Sequence, residues 1–494
     1  MVADVTPSQA AQLPAAVPLP AWASAKVRFN AGWAAFASVV AIGLVADQWL
    51  RTGAFGIGAT VTLVVACLLV VGVGGLERLE SRLLTLAAGA FAAWLTLRAS
   101  PWLVWPDLLV SISLLGLAAS LAVKGSLLDL GAAELAARLL QSFIQVSAGA
   151  GFVVRPLFQA RGRVGRAAPV ARGLVIAAPI ALVIAALLAS ADPVFASFFN
   201  LNFDFGQLVL DLVLVVFAAL FAAGLLRLAA SEPVERVDGP GWRLGATETL
   251  VVLAVLDAVF AAFALAQVLA ATGVAADTLK SAGVTYADYA RSGFFQLLWV
   301  SGITLAVLFL FSRISRLSER RSALRFMVLA ESAIALTLMI DAVAFHRLSL
   351  YEEAYGFTML RLYSHVFASW VAVLFVLLGL DFLGLWKRRR WFIGAAIATA
   401  LGVLLGLNFV SPEAVVVALN TNHAQTTHKL DASYLSELSS DATPALLATR
   451  GSIDPSLRRP VQQVACGGAR DYSPPAAAFN FSEQQAAAAR RAGC

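Results

Sequence analysis

Charged side chains are scarce in this chain. Only 13% of its 494 residues are charged and 60% are hydrophobic, whereas a soluble globular protein carries roughly 25% charged residues. This composition excludes an ordinary water-soluble domain. The net charge of +6 does not indicate nucleic acid as a partner, because the basic residues flank apolar stretches, where membrane topology places them.

Cysteine, histidine and the common catalytic motifs are scarce too. With three cysteines, four histidines and no CxxC or paired Cys/His spacing, the sequence predicts no metal centre. It contains no Walker A loop, no GxSxG or HExxH, and no GxGxxG that opens a βαβ unit. We therefore expect neither a metal nor a cofactor. Cys466 and Cys494 both fall in the C-terminal segment, and the sequence leaves open whether they pair.

Long apolar stretches dominate instead. A membrane-spanning helix needs about 20 mostly apolar residues, and about eleven stretches approach or satisfy this criterion. They cover residues 31–50, 54–75, 83–98, 102–123, 170–190, 206–229, 247–271, 293–312, 325–346, 364–385 and 391–410. The sequence therefore predicts an all-α polytopic membrane helix bundle whose principal partner is the lipid bilayer.

Arginine clusters fall in every second gap between these stretches. They lie at 161–172, 313–325 and 387–390, the last of these with a lysine, and the gaps between them hold few basic residues. Cytoplasmic loops of membrane proteins carry the excess of Lys and Arg. The alternation predicts a cytoplasmic N-terminus and an extracytoplasmic C-terminus.

This topology divides the chain into six segments. They are a disordered leader without a signal peptide (1–30), the first transmembrane helices (31–123), a cytoplasmic amphipathic or basic connector (124–169), the main transmembrane bundle (170–410), an extracytoplasmic helical appendage (411–452) and a flexible tail (453–494). Ser411 and Pro412 begin the first appendage helix as N-cap and N1. Asp431 and Asp441 begin two more.

The connector 124–169 contains leucines at partly helical spacing, with Arg138 and Arg155 among them. This pattern predicts an amphipathic helix on the cytoplasmic leaflet, with its arginines near anionic headgroups. Two other interpretations stay open: a protein-docking surface and a plain packed connector.

Asp257, Glu331 and Asp341 are carboxylates inside the apolar stretches. Ionisable groups are costly there and suggest function. They could serve as proton or cation sites, because low dielectric raises the pKa of a carboxyl group toward neutrality. Alternatively, each could accept hydrogen bonds from a neighbouring helix and only order the bundle.

The densest polar cluster lies on the predicted outer side, around the gap between the stretches 325–346 and 364–385. Its members are His346, Arg347, Tyr351, Glu352, Glu353, Tyr355, Thr358, Arg361, Tyr363 and His365. On one continuous helix, several of them would share a face, namely Tyr351, Tyr355, Thr358, Arg361 and His365. Gly356 could interrupt that helix. Such a face could bind a small anion or an envelope polymer, or its tyrosines could form an interfacial aromatic belt.

Four motifs together resemble a known family. They are Ser190-Ala-Asp-Pro-Val-Phe195, Tyr286-Ala-Asp-Tyr-Ala-Arg-Ser-Gly-Phe-Phe295, Leu350-Tyr-Glu-Glu-Ala-Tyr-Gly-Phe-Thr-Met-Leu-Arg-Leu-Tyr363 and Leu430-Asp-Ala-Ser-Tyr-Leu-Ser-Glu-Leu438. Over roughly residues 170–450 the chain resembles the bacterial polytopic membrane family catalogued as domain of unknown function 4173. The resemblance implies a bacterial inner-membrane protein and supplies no substrate or catalytic residue.

We expect a non-enzymatic envelope role, sensing or scaffolding, with a protein partner in the envelope. Two alternatives stay open. One is a secondary transporter or channel that uses the intramembrane carboxylates. The other is an intramembrane transferase that acts on lipid-linked substrates, with Glu352 or Glu353 as base.

Overall fold

The computed structural model describes residues 27–51, 55–127, 130–156, 205–232, 243–271, 293–384 and 391–494, except Phe29 and Glu77, and isolated positions between 170 and 195. Several predicted features lie wholly or almost wholly outside the described residues. They are the leader, the apolar stretch 170–190 and the basic clusters at 161–172 and 387–390.

Helices account for the architecture of the described residues, and eleven of them precede the appendage. They are α1 (Trp33–Leu50), α2 (Ile57–Val73), α3 (Leu79–Leu97), α4 (Pro101–Ser120), α5 (Ala132–Val153), α6 (Phe205–Ala229), α7 (Ala246–Ala271), α8 (Phe294–Ile314), α9 (Arg320–Tyr355), α10 (Met359–Phe382) and α11 (Trp391–Val410). Eight helices of this described part are long and apolar enough to cross a membrane: α1, α4 and α6 to α11. Helix α2 is apolar but shorter. The prediction of a polytopic helical membrane protein is confirmed.

The membrane helices form two bundles with separate apolar cores. The first core contains residues of α1 to α4 and α6. The second contains residues of α7 to α10. Helix α11 contributes to both, because Leu404 packs in the first core and Phe392 in the second. It therefore joins the two bundles.

One side of the first bundle is marked by arginine contacts between helix ends. Arg28, ahead of α1, donates to the carbonyls of Ala229 and Ser231 at the end of α6, at 3.0 and 3.3 Å. Arg78, ahead of α3, donates to the Gly125 carbonyl beyond the end of α4. We call this side the connector side. The opposite side, where the C-terminal helices lie, is the appendage side.

Helix α5 has both ends on the connector side. Arg138 donates to the Ser120 carbonyl at the end of α4, at 3.0 Å. Just beyond α5, Arg155 donates to Asn30 Oδ1 at 2.8 Å, close to the beginning of α1. The predicted connector therefore contains a helix that enters and leaves on one side of the first bundle.

The polar face of α5 points into the protein. Arg138 is 2% exposed and pairs with Glu134 at 3.0 Å, and Gln141 and Gln145 are also buried, whereas Phe143 is 80% exposed. The expectation that the arginines of this helix lie near lipid headgroups is wrong for Arg138, because its guanidinium finds its partners inside the bundle.

The appendage contains α12 (Pro412–Thr427), α13 (Ala432–Ser436) and α14 (Thr443–Thr449). The predicted beginnings of α12 and α13 are confirmed, and Asp431 accepts from the Tyr434 amide at 3.0 Å as an N-cap. The third predicted helix start, at Asp441, is not where the structure begins an α-helix. Asp441 lies in a 3-10 turn ahead of α14 and points its carboxylate toward the first bundle instead.

The segment 453–494, predicted as a flexible tail, forms two further helices, α15 (Pro455–Cys466) and α16 (Phe481–Gly493). Asp454 and Asn480 cap their N-termini, and a Cys466–Cys494 disulfide links their C-terminal ends. The prediction of a loose tail is wrong. The segment's composition had suggested a flexible chain, but the N-caps and the disulfide stabilise two helices in it.

Candidate functional site

The hairpin of α9 and α10 carries the predicted polar cluster. Helix α9 ends at Tyr355, and Gly356 adopts a φ of 77°, which favours glycine. Thr358 then caps α10 by accepting from the Arg361 amide at 3.4 Å. The predicted single face through His365 is therefore wrong, since it requires one continuous helix and the turn at 356–358 divides it.

A buried carboxylate–imidazole pair crosses this hairpin. Glu352 of α9 is 4% exposed, and its Oε2 lies 2.8 Å from Nε2 of His365 on α10. The ring of Phe345 packs against the imidazole with a centroid separation of 4.1 Å. The turn that divides the predicted face is also what brings these two side chains together across the hairpin.

Arg361 closes the end of α9. Its guanidinium lies 4.3 Å from the ring centroid of Tyr351 and donates to the carbonyls of Tyr355, at 3.3 Å, and Gly356. A cation at a helix C-terminus stabilises the unpaired carbonyls there. Arg361 therefore caps α9 through Nη1, and anion binding by this residue stays a prediction.

The remaining members of the predicted cluster are spread around the hairpin. Tyr355 is exposed and packs on Tyr351, with ring centroids 4.9 Å apart. His346 and Glu353 are exposed, and Arg347 lies against Gly293 ahead of α8. The structure therefore does not bring all ten residues together. Glu352 and His365 form the compact part of the set, together with the aromatic rings around them.

Tyr363 belongs to the junction between the two bundles. Its hydroxyl donates to the Trp102 carbonyl of α4 at 2.8 Å. Pro106 follows Trp102 by four residues and has no N–H, so this carbonyl lacks its helical partner. Tyr363 supplies the missing donor from α10.

The appendage holds the turn of this hairpin through side chains that sequence reasoning missed. Asn420 of α12 accepts from the Phe357 amide at 2.9 Å and donates to the Phe357 carbonyl at 2.7 Å. Tyr434 accepts from the Met359 amide at 2.6 Å. The buried Glu352–His365 pair thus lies directly behind a turn whose backbone is bonded to the appendage.

A cleft of about 400 Å³ opens between α9 and α10 on the connector side of that pair. Asp341 and His346 line it, together with the hydroxyl-bearing Ser349 and Ser369. Asp341 is 5% exposed and accepts from Ser301 of α8 at 2.5 Å through Oδ1. Among the described residues, its Oδ2 has no hydrogen-bond partner.

The other two intramembrane carboxylates do not join Asp341. Asp257 lies on α7, and Glu331 lies against Gly379 of α10, where a Cβ would be 3.0 Å from its Oε2. Asp341 follows Glu331 by ten residues, which is about 15 Å along a helix axis. Within the described part of the chain, none of the three takes part in an ion pair.

A second set of buried polar groups joins the appendage to the first bundle. Asp441, 7% exposed, accepts from the amides of Ala99 and Ser100 at 3.1 and 3.2 Å and from the Ser482 hydroxyl. Asn480 donates to the Arg98 carbonyl at 2.9 Å. The loop between α3 and α4 is therefore bonded to both the 3-10 turn and α16.

Glu413, at the beginning of α12, is a buried acid of the same region. It is 2% exposed and accepts from the amide and the hydroxyl of Ser439 at 2.8 and 2.7 Å. Burial raises the pKa of its carboxyl above the ordinary range, and the hydrogen bonds of Ser439 oppose that shift. Asp441 contributes a smaller increase through its negative charge.

Residues 85–449 match the model of a family described as a domain of unknown function, DUF4153. The chain belongs to this family. The resemblance to an uncharacterised family was correct in kind, but the number 4173 was wrong. The match extends from α3 to α14 and includes the hairpin of α9 and α10. No curated protein and no solved structure matches the chain.

Proposed function

We propose that this protein is a non-enzymatic sensor of the bacterial inner membrane, in which the Glu352–His365 pair controls how the appendage holds the α9–α10 turn. The observation that supports this role is the position of the pair. Glu352 is buried, its Oε2 lies 2.8 Å from Nε2 of His365, and the pair lies behind the turn bonded to Asn420 and Tyr434.

The arginine pattern supports an orientation for this sensor. The connector side carries Arg28, Arg78 and Arg227, and the positive-inside rule places such a side in the cytoplasm. The appendage and the pair then face the periplasm. A pair in that position would respond to conditions in the periplasm rather than in the cytoplasm.

The pair joins the two helices of the hairpin behind this turn. Its hydrogen bond links Glu352 of α9 to His365 of α10, and Glu352 is 4% exposed. A buried acceptor that loses its donor costs about 1–3 kcal/mol. Loss of the His365 side chain should therefore loosen the hairpin and the turn between its helices.

Hydrogen exchange of the Phe357 and Met359 amides tests this role, because both amides bond to the appendage. In lipid nanodiscs we expect His365→Ala to lower the protection of both amides, corrected for the intrinsic exchange rate, relative to the native protein.

His428→Ala is the matched control. His428 pairs with Asp454 at 3.1 Å but is exposed and far along the appendage from the turn. Its substitution should leave the protection of Phe357 and Met359 unchanged. Unchanged protection in His365→Ala, or an equal loss in His428→Ala, would contradict the proposal.

A transporter is the second candidate, and only Asp341 favours it. Asp341 lines the cleft, whereas Asp257 and Glu331 do not. If the protein couples flux to protons, Asp341→Asn should abolish the flux in proteoliposomes and Asp257→Asn should leave most of it. Equal flux in the native protein and in Asp341→Asn would eliminate this candidate.

A further inference from the structure

We propose that the cleft between α9 and α10 binds an amphiphilic amine, with the Asp341 carboxylate accepting hydrogen bonds from its ammonium group. Phe345 separates this site from the Glu352–His365 pair. The site uses neither Glu352 nor His365, so either assignment can fail without the other. It names a ligand class that the sensing role does not require.

Small side chains open the cleft. Ala368, Ser369 and Ala372 of α10 face the α9 residues Leu338 and Phe345 across a space of about 400 Å³. Small-molecule sites typically occupy about 300–1,000 Å³, with mostly apolar walls and few polar groups. The cleft has these proportions, and its polar groups are the acid, the histidine and two serines.

The Asp341 carboxylate has no positively charged partner among the described residues of the cleft. Asp341 is more than nine-tenths buried, and its described partner is the uncharged hydroxyl of Ser301. Its Oδ2 has no hydrogen-bond partner among the described residues, and no Lys or Arg is among the described residues that line the cleft. An unpaired buried carboxylate is costly, and a bound cation would supply both the missing charge and the missing donor.

The depth of Asp341 indicates what the cation is attached to. Asp341 lies 14 residues before the end of α9 at Tyr355 and 21 residues after its beginning at Arg320, or about 21 and 32 Å along the axis. With a hydrocarbon core of about 30 Å, the acid lies in the appendage-side leaflet. A ligand there needs an apolar stem, which either an aminophospholipid or a soluble alkylamine provides.

Binding of octylamine, with octanol as the uncharged control of equal length, tests the proposal. Purified protein in phosphatidylcholine nanodiscs should bind octylamine and not octanol in a calorimetric titration. Asp341→Asn should weaken octylamine binding by about tenfold or more, the size expected for loss of a charge-assisted hydrogen bond. The asparagine retains an acceptor for Ser301, so the fold should persist.

Two further variants protect this test against a folding artefact. Ala372→Leu fills the cleft without changing charge and should also abolish octylamine binding. Glu331→Gln removes a carboxylate of the same helix that lies outside the cleft, and it should bind like the native protein. Octylamine binding that survives either Asp341→Asn or Ala372→Leu would overturn the proposal.

Native mass spectrometry distinguishes the two sources of the amine. Retention of phosphatidylethanolamine over phosphatidylglycerol, lost in Asp341→Asn, would identify a lipid as the ligand. Octylamine binding without such retention would identify a soluble amine, and both results support an ammonium site. Equal binding of octanol and octylamine would overturn it.

Discussion

The contact between Asp441 and the α3–α4 loop allows the clearest quantitative test of the fold. Asp441→Ala removes an acceptor that serves two amides and one hydroxyl. A hydrogen bond to a charged group contributes about 1.5–3 kcal/mol. Water can reach part of the loop once the carboxylate is gone, so we take about 3 kcal/mol for the whole contact rather than the sum of three such bonds.

That free energy sets the expected size of the effect. Each 1.4 kcal/mol corresponds to a factor of ten, so about 3 kcal/mol corresponds to about a hundredfold more frequent opening of the contact. Hydrogen exchange of the Ala99 and Ser100 amides, which donate to Asp441, should show this loss of protection, because local opening governs exchange.

Asp471→Ala provides the control in the same appendage. The Asp471 side chain is 93% exposed, and its ion pair with Arg491 has an N–O separation of 3.9 Å, so its loss should cost less than about 1 kcal/mol. Unchanged protection at Ser100 in Asp441→Ala, or equal losses in both variants, would refute the assignment of Asp441 as the link between the appendage and the first bundle.

Three further predictions concern the junction, the disulfide and pH. Tyr363→Phe should destabilise the native protein by about 1 kcal/mol. In a Pro106→Ala background the same substitution should cost less, because residue 106 then has an N–H that bonds the Trp102 carbonyl. A double-mutant cycle of unfolding free energies measures the difference. Cys466→Ser should destabilise the appendage by about 3.6 kcal/mol, the value that the loop-closure relation gives for a separation of 28 residues. The melting temperature should be lower than in the native protein, and dithiothreitol should no longer change it. Because the folded pKa of Glu413 is raised, its neutral form stabilises the fold below about pH 4.3 and that contribution is lost as pH rises through the raised value. Glu413→Gln should therefore flatten the pH dependence of appendage unfolding and stabilise it at pH 7.

Local signals in the sequence predicted local structure. Apolar length predicted the membrane helices, and Ser411 with Pro412 predicted the beginning of α12. Apolar length acts within a single helix, and the Ser-Pro signal acts within one turn, so neither depends on contacts with distant residues. Helix α5 shows the limit, because the same leucine spacing suits a helix on a membrane surface and a helix whose polar face is buried. Only the contacts of Arg138 distinguish the two.

The candidate site depends on contacts between distant residues. Glu352 and His365 could be singled out by their residue types, but their pairing requires the turn at Gly356, and a continuous helix would have separated them by about 20 Å. Asp441 reads as an N-cap from its neighbours alone. Its actual partners lie more than 300 residues earlier, at Ala99 and Ser100, where no spacing rule could locate them.

The appendage connects the two bundles on one side of the membrane. Asp441 bonds the α3–α4 loop of the first bundle, and Asn420 bonds the α9–α10 turn of the second. Both side chains belong to one small helical unit, whose apolar core includes Val417 and Ala442. A displacement of Phe357 must therefore either break its paired bonds to Asn420 or move α12. Movement of α12 would in turn strain the hydrogen bonds of Asp441 to the first bundle. A change at the Glu352–His365 pair can therefore affect the first bundle through the appendage, without any change in the helix contacts inside the membrane.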